Sequence, residues 1–191
     1  MRNEISRVGI TGLAVLLLAT ATGAAGAEKD DDKDHFFSAH GPRAVGLVKE
    51  VRRGTARYRD VEVAESEGWV STANCVSGMD EGAMGVHYVN FSLLFDGVLD
   101  PRQPEILIYE QVQGRMRLVG VEFLTISDSW HGVNGDATPV LIGQLFHYSG
   151  APNRYGLPPS YALHVWAWKD NPKGMYVNWN PRVSCEEYTG E

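Results

Sequence analysis

Six short segments in the latter part of the chain constrain its fold more than any other feature. Each is rich in β-branched and aromatic residues, and clusters of Gly, Pro, Asn or Asp separate them. They are "VHYVNFSLLF" (86–95), "EILIYE" (105–110), "RLVGVEFL" (117–124), "VLIGQLFHY" (140–148), "YALHVWAW" (161–168) and "GMYVNW" (174–179). Strands at this spacing, without helical patterns between them, are typical of an antiparallel sheet. The sequence therefore predicts a mainly β (α+β) fold, a small barrel or a sandwich of about six to eight strands.

A helical pattern precedes these segments. From Pro42, apolar residues such as Leu47 and Tyr58 recur at three- and four-residue steps. This spacing places them on one face of a helix, and a proline fits the first helical turn. The helix is predicted to end near Gly68, with a break or kink at Gly54. Its apolar face is expected to pack on one end or one face of the sheet.

The amino terminus has the order of a secretory signal peptide. Two arginines precede an apolar run, which ends in the small residues "AGA". Gly and Thr interrupt the run, so it falls short of the about 20 strongly apolar residues that a membrane span needs. We predict a signal peptide over residues 1–27, an acidic flexible arm over residues 28–41 and a single β-rich domain over residues 42–191. The mature protein is expected to be secreted or periplasmic, without a membrane span.

The charge of the chain excludes one class of partner. The formal net charge is −7, and an acidic surface repels the phosphates of nucleic acid. The sequence also has no G-x-S-x-G motif and no glycine-rich loop that opens a helix. Those motifs are typical of serine hydrolases and of nucleotide-binding proteins, so neither chemistry is expected here.

The chain contains two cysteines, Cys75 and Cys185. In an exported protein an even number of cysteines is usually paired, and two cysteines allow a single intramolecular bridge. A redox-active or metal-binding thiol pair is the alternative, but the close C-x-x-C spacing typical of such pairs is absent. We therefore predict a disulfide between them, which would close a loop of about 110 residues and stabilise the fold by about 4 to 5 kcal/mol.

Three polar residues are predicted to lie in the middle of strands, among apolar neighbours where an unpaired charge is costly. They are His87, Glu122 and His164. Two histidines and a carboxylate that converge from three strands would form a site for one divalent zinc, copper or iron ion. Glu110 is a further candidate ligand, and His147 is a reserve. In an enzyme, such an ion would activate water or dioxygen.

A hydrogen-bonded core network is the alternative interpretation of the same residues. In that case the two histidines hydrogen-bond within the core, and Glu122 pairs with Arg117 or Lys169. The sequence contains no H-x-H and no H-E-x-x-H motif. The metal hypothesis therefore depends on which strands pair with each other.

Aromatic residues crowd the last two predicted strands. Trp166, Trp168 and Trp179 lie there, and together with Tyr88 on an earlier strand they are candidate ligand-binding residues. Exposed rings would stack on the sugars of a glycan or hold a small apolar ligand, in a non-catalytic binding module. Buried rings would simply be core. A structural envelope protein without any ligand is the third interpretation.

Five segments together resemble a group of small exported bacterial proteins of uncharacterised function. They are "ARYRDVEVAESEGW", "GAMGVHYVN", "PEILIYE", "RLVGVEFL" and "LHVWAWKDNPKGMYVNWNPRVSC". The resemblance covers residues 56–185, and the last segment is its most specific part. It implies an exported bacterial origin, and it assigns no activity and no catalytic residues.

Overall fold

The computed structural model describes residues 42–190. Their elements are α1 (Pro42–Thr55), a 3-10 helix (Ala56–Arg59), α2 (Val61–Ser66), β1 (Val70–Ser77), β2 (Ala83–Val89), α3 (Phe91–Leu94), β3 (Ile106–Val112), β4 (Arg115–Ile126), α4 (Ser127–Asn134), β5 (Val140–Leu141), β6 (Gln144–Leu145), β7 (His147–Ser149) and β8 (Ser160–Val165). The predicted signal peptide and acidic arm lie outside the described residues. Among the helices of residues 42–190, none is both long and apolar enough to cross a membrane.

Six of the strands form one antiparallel sheet, in the order β1-β2-β3-β4-β8-β7. The first four strands follow each other in sequence and in space, whereas β8 inserts between β4 and β7. β5 and β6 form a separate two-stranded sheet. The prediction of a mainly β, antiparallel fold is confirmed.

The predicted barrel is wrong, because the sheet does not close. β1 and β7 are its two edges, and β7 contains only three residues. The segment predicted as the last strand, residues 174–179, forms turns instead of a strand. Two hydrogen bonds hold this segment against Trp166. The Trp166 backbone N–H donates to Met175 O at 2.9 Å, and the indole Nε1 donates to Val177 O at 2.6 Å. The sheet therefore lacks the additional strand that was predicted to help close it into a barrel.

Helices cover one face of the open sheet. Leu47, Val48 and Val51 of α1 are buried. They belong to the same apolar cluster as Leu107 of β3 and Phe123 of β4. The spacing of these α1 residues, one helical turn or less apart, gives the helix its buried stripe.

The helical pattern predicted to run to Gly68 is interrupted near Gly54. A Cβ atom on Gly54 would lie 2.0 Å from the carbonyl oxygen of Arg102, so only glycine permits this close approach. The chain then passes through the 3-10 helix. Asp60 begins α2, because its side chain accepts a hydrogen bond from Glu62 N at 3.1 Å.

The opposite face of the sheet carries a second apolar cluster. Val89, Ile108 and Leu124 are buried there, together with Leu94 of α3 and Val183 of the carboxy-terminal segment. Short helices and loops thus cover this face, and within residues 42–190 no second large sheet packs on it as a sandwich would require. The polar residues of the candidate site lie on this same face.

Further elements differ from the sequence predictions, and the segment 140–148 forms the short strands β5, β6 and β7 instead of one strand. β2 ends at Val89 although a strand was predicted to residue 95, because the Asn90 side chain accepts a hydrogen bond from Ser92 N at 3.1 Å and begins α3. The connection after β4 contains the helix α4, in a stretch of turn-forming residues. There the indole Nε1 of Trp130 donates to Ala137 O at 2.6 Å and fixes the helix to the chain that follows it.

The predicted disulfide is confirmed. Cys75 of β1 is bonded to Cys185, 110 residues later, with 5.7 Å between the Cα atoms. The bond fastens the carboxy-terminal segment to an edge strand of the sheet. Residues 42–190 contain no free cysteine.

Candidate metal centre

Strand pairing brings His87, Glu122 and His164 together. Glu122 of β4 lies directly opposite His164 of β8. His87 lies on β2, which is separated from β4 by β3. Ile108 of β3 pairs with His87 on one side and with Gly120 of β4 on the other. Gly120 has no side chain, and Glu122 follows it by two residues, so the three polar side chains share one face of the sheet.

The three side chains are buried, and their donor atoms are close. His87 Nε2 lies 3.6 Å from Glu122 Oε2, and His164 Nδ1 lies 3.5 Å from Glu122 Oε1. One donor atom from each residue lies within 4.8 Å of the other two. Both separations exceed an ordinary hydrogen bond, and within residues 42–190 neither ring nitrogen of His164 has a hydrogen-bond partner. The group is therefore not a satisfied hydrogen-bonded network.

Burial holds the three groups in their uncharged forms near neutral pH. It raises the pKa of Glu122 to about 8. It lowers the pKa of His87 to about 4, against the smaller opposing effect of a hydrogen bond to the Gly85 backbone. The pKa of His164 falls to about 3, because of burial first and then of the nearby His87 and His147. The contacts of Glu122 with the histidines are therefore not ion pairs.

Such a group could hold a metal ion. Zinc binds imidazole nitrogen and carboxylate oxygen at about 2.0 to 2.2 Å, so neighbouring donors around a tetrahedral ion lie about 3.4 Å apart. The observed separations of 3.5 and 3.6 Å are close to that spacing. Neutral imidazole is the form that binds a metal, and a divalent cation would favour the ionised form of Glu122. Two imidazoles and a carboxylate suit zinc, copper and iron.

The donor group forms part of the wall of a cavity of about 450 Å³. The apolar part of the wall includes Met84, Val89, Leu94, Ile106, Leu124 and Leu157. His147, Arg154 and Tyr155 are exposed and also line the cavity, so it opens to solvent. Pockets that bind small molecules have volumes of about 300 to 1,000 Å³. The donors therefore face a space that fits a small molecule.

None of the protein-family models, curated proteins or solved structures compared with this chain matches it. The function is therefore inferred from the donor group and its cavity.

Glu110, the further ligand predicted from the sequence, is not brought into this group. Lys169 Nζ donates to Glu110 Oε2, and Ser184 N donates to Glu110 Oε1 at 3.0 Å. Both carboxylate oxygens are thus held by other residues. The same contact removes Lys169 as the partner proposed for Glu122 in the core-network alternative.

The four candidate aromatic residues do not form a common surface. Tyr88 packs in the apolar cluster under the helices, on the face opposite His87. Trp168 lies against that cluster too, and its Nε1 donates to Thr55 Oγ1 at 3.0 Å. Trp166 is buried beside His164, with ring centroids 6.3 Å apart. Trp179 is half-buried, and none of the four rings is part of the cavity wall described above.

Sequence reasoning missed the loop between β7 and β8. Residues 150–159 carry Arg154 and Tyr155 to the cavity, although their Gly and Pro content predicts only a connection. The available signal was a charged and an aromatic residue side by side in a long loop, since loops on a rigid scaffold often carry binding residues.

A further buried carboxyl group, that of Glu105, supports β4 beside the site. The side chain is 1 % exposed, and its Oε2 accepts a hydrogen bond from Leu124 N at 3.0 Å. Burial raises the pKa of Glu105 well above its ordinary value, while hydrogen bonds from its own backbone and from Leu124 oppose that rise. Glu105 thus fixes the backbone two residues beyond Glu122.

Proposed function

We propose that the protein is an exported bacterial metalloenzyme that binds one zinc, copper or iron ion through His87, Glu122 and His164. Its substrate is a small molecule that occupies the adjacent cavity. The observation that carries this proposal is the donor group: three buried side chains from three strands, with donor atoms within 4.8 Å of one another. Buried polar groups without partners cost free energy. A metal ion would supply a partner for His164 Nδ1, which faces Glu122 and lacks a hydrogen-bond partner within the described chain.

Three protein ligands favour a catalytic ion over a structural one. Structural zinc sites are closed by four protein ligands, whereas catalytic sites keep one position for water or substrate. Glu110 is engaged by Lys169 and Ser184 and does not supply a fourth ligand. An ion at this site would face the cavity through its open position, where it would activate water or dioxygen.

A non-catalytic module that binds a small apolar ligand is the second candidate, and the apolar part of the cavity wall favours it. In that case ligand affinity would be the same with and without metal. A glycan-binding surface has less support. Trp166 is buried and Trp168 lies on the opposite face of the sheet, so these two rings cannot stack together on a sugar.

The disulfide supports a location outside the cytoplasm. Disulfides form and persist in oxidising compartments and are rare in the cytosol, and the chain has one between Cys75 and Cys185. Together with the predicted signal peptide, it supports a secreted or periplasmic protein.

The deciding experiment is elemental analysis of protein purified from its exported compartment without a histidine tag. Wild type is compared with His87→Ala and His164→Ala, each of which removes one proposed ligand. His147→Ala is the matched control, because this histidine lines the same cavity but is not a member of the donor group. Thermal unfolding with and without chelator is measured on the same samples.

We expect about one metal ion per chain in wild type and in His147→Ala, and a large loss in the two ligand variants. Chelation should lower the unfolding temperature of wild type, because the ion binds the folded state alone. Negligible metal in wild type, even after loading with zinc, copper and iron, would refute the proposal. The two histidines would then be core residues that bind no metal, and replacing either one by alanine would still destabilise the fold by about 1 to 3 kcal/mol.

A further inference from the structure

We propose that the cavity selects a small anionic molecule with an apolar body, and that Arg154 recognises its acidic group. The inference rests on the proposed function, because the metal ion would be the second positive group in the cavity. It names the substrate class as a carboxylic acid, or a comparable monoanion, with an aromatic or branched aliphatic group.

The ionisable side chains of the cavity wall favour positive charge. They are His87, Glu122, His147, Arg154, Tyr155 and His164. Glu122 is the single carboxyl group among the wall residues that the structure describes. A divalent ion on ionised Glu122 leaves one positive charge, and the guanidinium of Arg154 adds a second. A cavity with apolar walls strengthens such fields, so it attracts an anion and repels a cation.

Arg154 has no carboxylate partner of its own within residues 42–190. Arg53, Arg57, Arg102 and Arg182 each pair with a carboxylate there. The guanidinium of Arg154 instead lies over two aromatic rings, 5.4 Å from the centroid of Tyr155 and 5.7 Å from that of Trp179. Cation–π contacts orient a guanidinium without neutralising its charge. The donors of Arg154 are therefore available to an acidic ligand.

The loop that carries Arg154 is held in place by Asn153. Asn153 Nδ2 donates to Gly150 O at 2.9 Å and to Leu157 O at 2.8 Å. Its Oδ1 accepts from Tyr155 N at 3.1 Å and from Leu157 N at 3.2 Å. These four bonds bridge the loop on both sides of Arg154. The residue is thus presented by a fixed backbone, and less ordering is needed when a ligand binds.

Tyr155 lies beside Arg154 in the loop and lines the same cavity as the donor group. Burial raises the pKa of its hydroxyl, while Arg154 lowers that pKa and Glu122 raises it by smaller amounts. Arg154 and Tyr155 of the loop and the three donor residues of the sheet line the same cavity. A ligand that fills this cavity would therefore contact both the loop and the donor group.

The remaining wall sets the character of the ligand's body. Met84, Ile106 and Leu124 are buried apolar residues of the sheet that line the cavity, and Leu157 lines it from the loop. The volume of about 450 Å³ holds an aromatic acid with room for substituents. Apolar contact supplies much of the affinity in such pockets, and a few polar groups supply orientation.

The test uses three probes of nearly equal size: benzoate, neutral benzamide and cationic benzylammonium. Their binding to zinc-loaded, disulfide-bonded protein is measured by titration calorimetry at low salt and near neutral pH. Arg154→Gln removes the charge and Arg154→Lys retains it. Arg115→Gln is the control, because it removes an exposed arginine at the β3–β4 turn, away from the cavity wall. Thermal unfolding verifies that each variant is folded.

We expect benzoate to bind wild type and Arg115→Gln about tenfold or more tightly than benzamide, and benzylammonium not to bind detectably. Arg154→Gln should lose about tenfold or more of the benzoate affinity and leave benzamide unaffected, and Arg154→Lys should restore part of the loss. Equal affinity for benzoate and benzamide in wild type, no binding of benzoate, or unchanged benzoate affinity in Arg154→Gln would each overturn the proposal.

The failure of this inference can be distinguished from the failure of the proposed function, because metal stoichiometry and benzoate binding are measured separately, the latter also on metal-free wild type. If the protein binds one metal ion but does not prefer benzoate, the anionic substrate class is wrong and the metal centre stands. If the protein binds no metal but still prefers benzoate through Arg154, the metal centre is wrong and the anion site stands.

Discussion

Glu122 sets how the site responds to pH. Its pKa of about 8 in the folded protein lies above the ordinary value of 4.5. Between these values the unfolded chain has lost a proton that the folded, metal-free protein keeps, so stability falls as pH rises. His87 and His164 act in the opposite direction. Their pKa values of about 4 and about 3 lie below the ordinary 6.5, so their contribution to stability rises with pH up to 6.5.

The first prediction at this scale concerns metal affinity. An ion that binds Glu122 below its pKa of about 8 displaces one proton from it. We therefore expect affinity to rise about tenfold per pH unit from the histidine range up to about pH 8, and then to level off. Competition with a chelator of known affinity, corrected for the protonation of the chelator, measures this slope.

Glu122→Gln supplies the control, since it keeps the size of the side chain and removes the titrating group. The variant should bind metal far more weakly. Its metal-free form should also lose the decline in unfolding temperature that we expect of wild type between pH 6.5 and about 8. The same decline in the glutamine variant would contradict the role assigned to Glu122.

At the scale of elements, β4 places the site. It is a 12-residue strand that carries Glu122 and pairs with both β3 and β8. Gly120 lets β8 and the chain after it approach closely. A Cβ atom there would lie 3.0 Å from Val165 O and 3.2 Å from Trp166 Cε3. Val165 follows His164 directly, so the fit around Gly120 determines where that histidine lies.

We expect Gly120→Ala to destabilise the protein by about 1 to 3 kcal/mol, because the added methyl group overpacks a filled interior. Metal occupancy should fall as well, although residue 120 is not a ligand. The control is Gly132→Ala in α4, where nothing lies within 4 Å of the new methyl group. Alanine should stabilise that helix by about 0.5 to 1 kcal/mol. Urea unfolding and metal analysis test both variants, and a Gly120→Ala protein of wild-type stability and occupancy would rule out this role.

At the scale of the whole molecule, the carboxy-terminal segment closes the face of the sheet that holds the site. Val183 packs into the apolar cluster of that face. Ala83 and Asn180 exchange backbone hydrogen bonds of 3.2 and 3.1 Å, and the bond from Cys185 to Cys75 follows shortly after. Within the described residues, the donor group contains no member of this segment, and the segment instead covers the apolar cluster on the same face.

The prediction for the whole molecule joins export and the disulfide. Intact mass of the exported protein should give a chain that begins at or near Glu28, and non-reducing peptide mapping should recover Cys75 linked to Cys185.

Replacing both cysteines by serine should reduce the free energy of unfolding by about 4 to 5 kcal/mol, because the open chain gains entropy when unfolded. Metal stoichiometry should persist in the folded fraction. A mature chain that retains residues 1–27 would contradict export.

The sequence by itself determined the parts of this protein that depend on near neighbours in the chain. Alternation of apolar and polar residues located the four strands β2, β3, β4 and β8, and it singled out His87, Glu122 and His164 as polar residues inside them. Two cysteines allowed one intramolecular disulfide, so that pairing followed without structural knowledge. Side-chain direction within a strand alternates with a fixed period, which is why these features can be predicted from local sequence.

Only the tertiary structure decided which strands lie side by side, and so which polar residues meet. The pairing of β8 with β4 places His164 opposite Glu122, whereas Lys169 and Ser184 take Glu110 away from them. Turns replace the last predicted strand, so the sheet stays open instead of closing into a barrel. These outcomes depend on hydrogen bonds between residues far apart in sequence, and alternation within one strand carries no information about its partner.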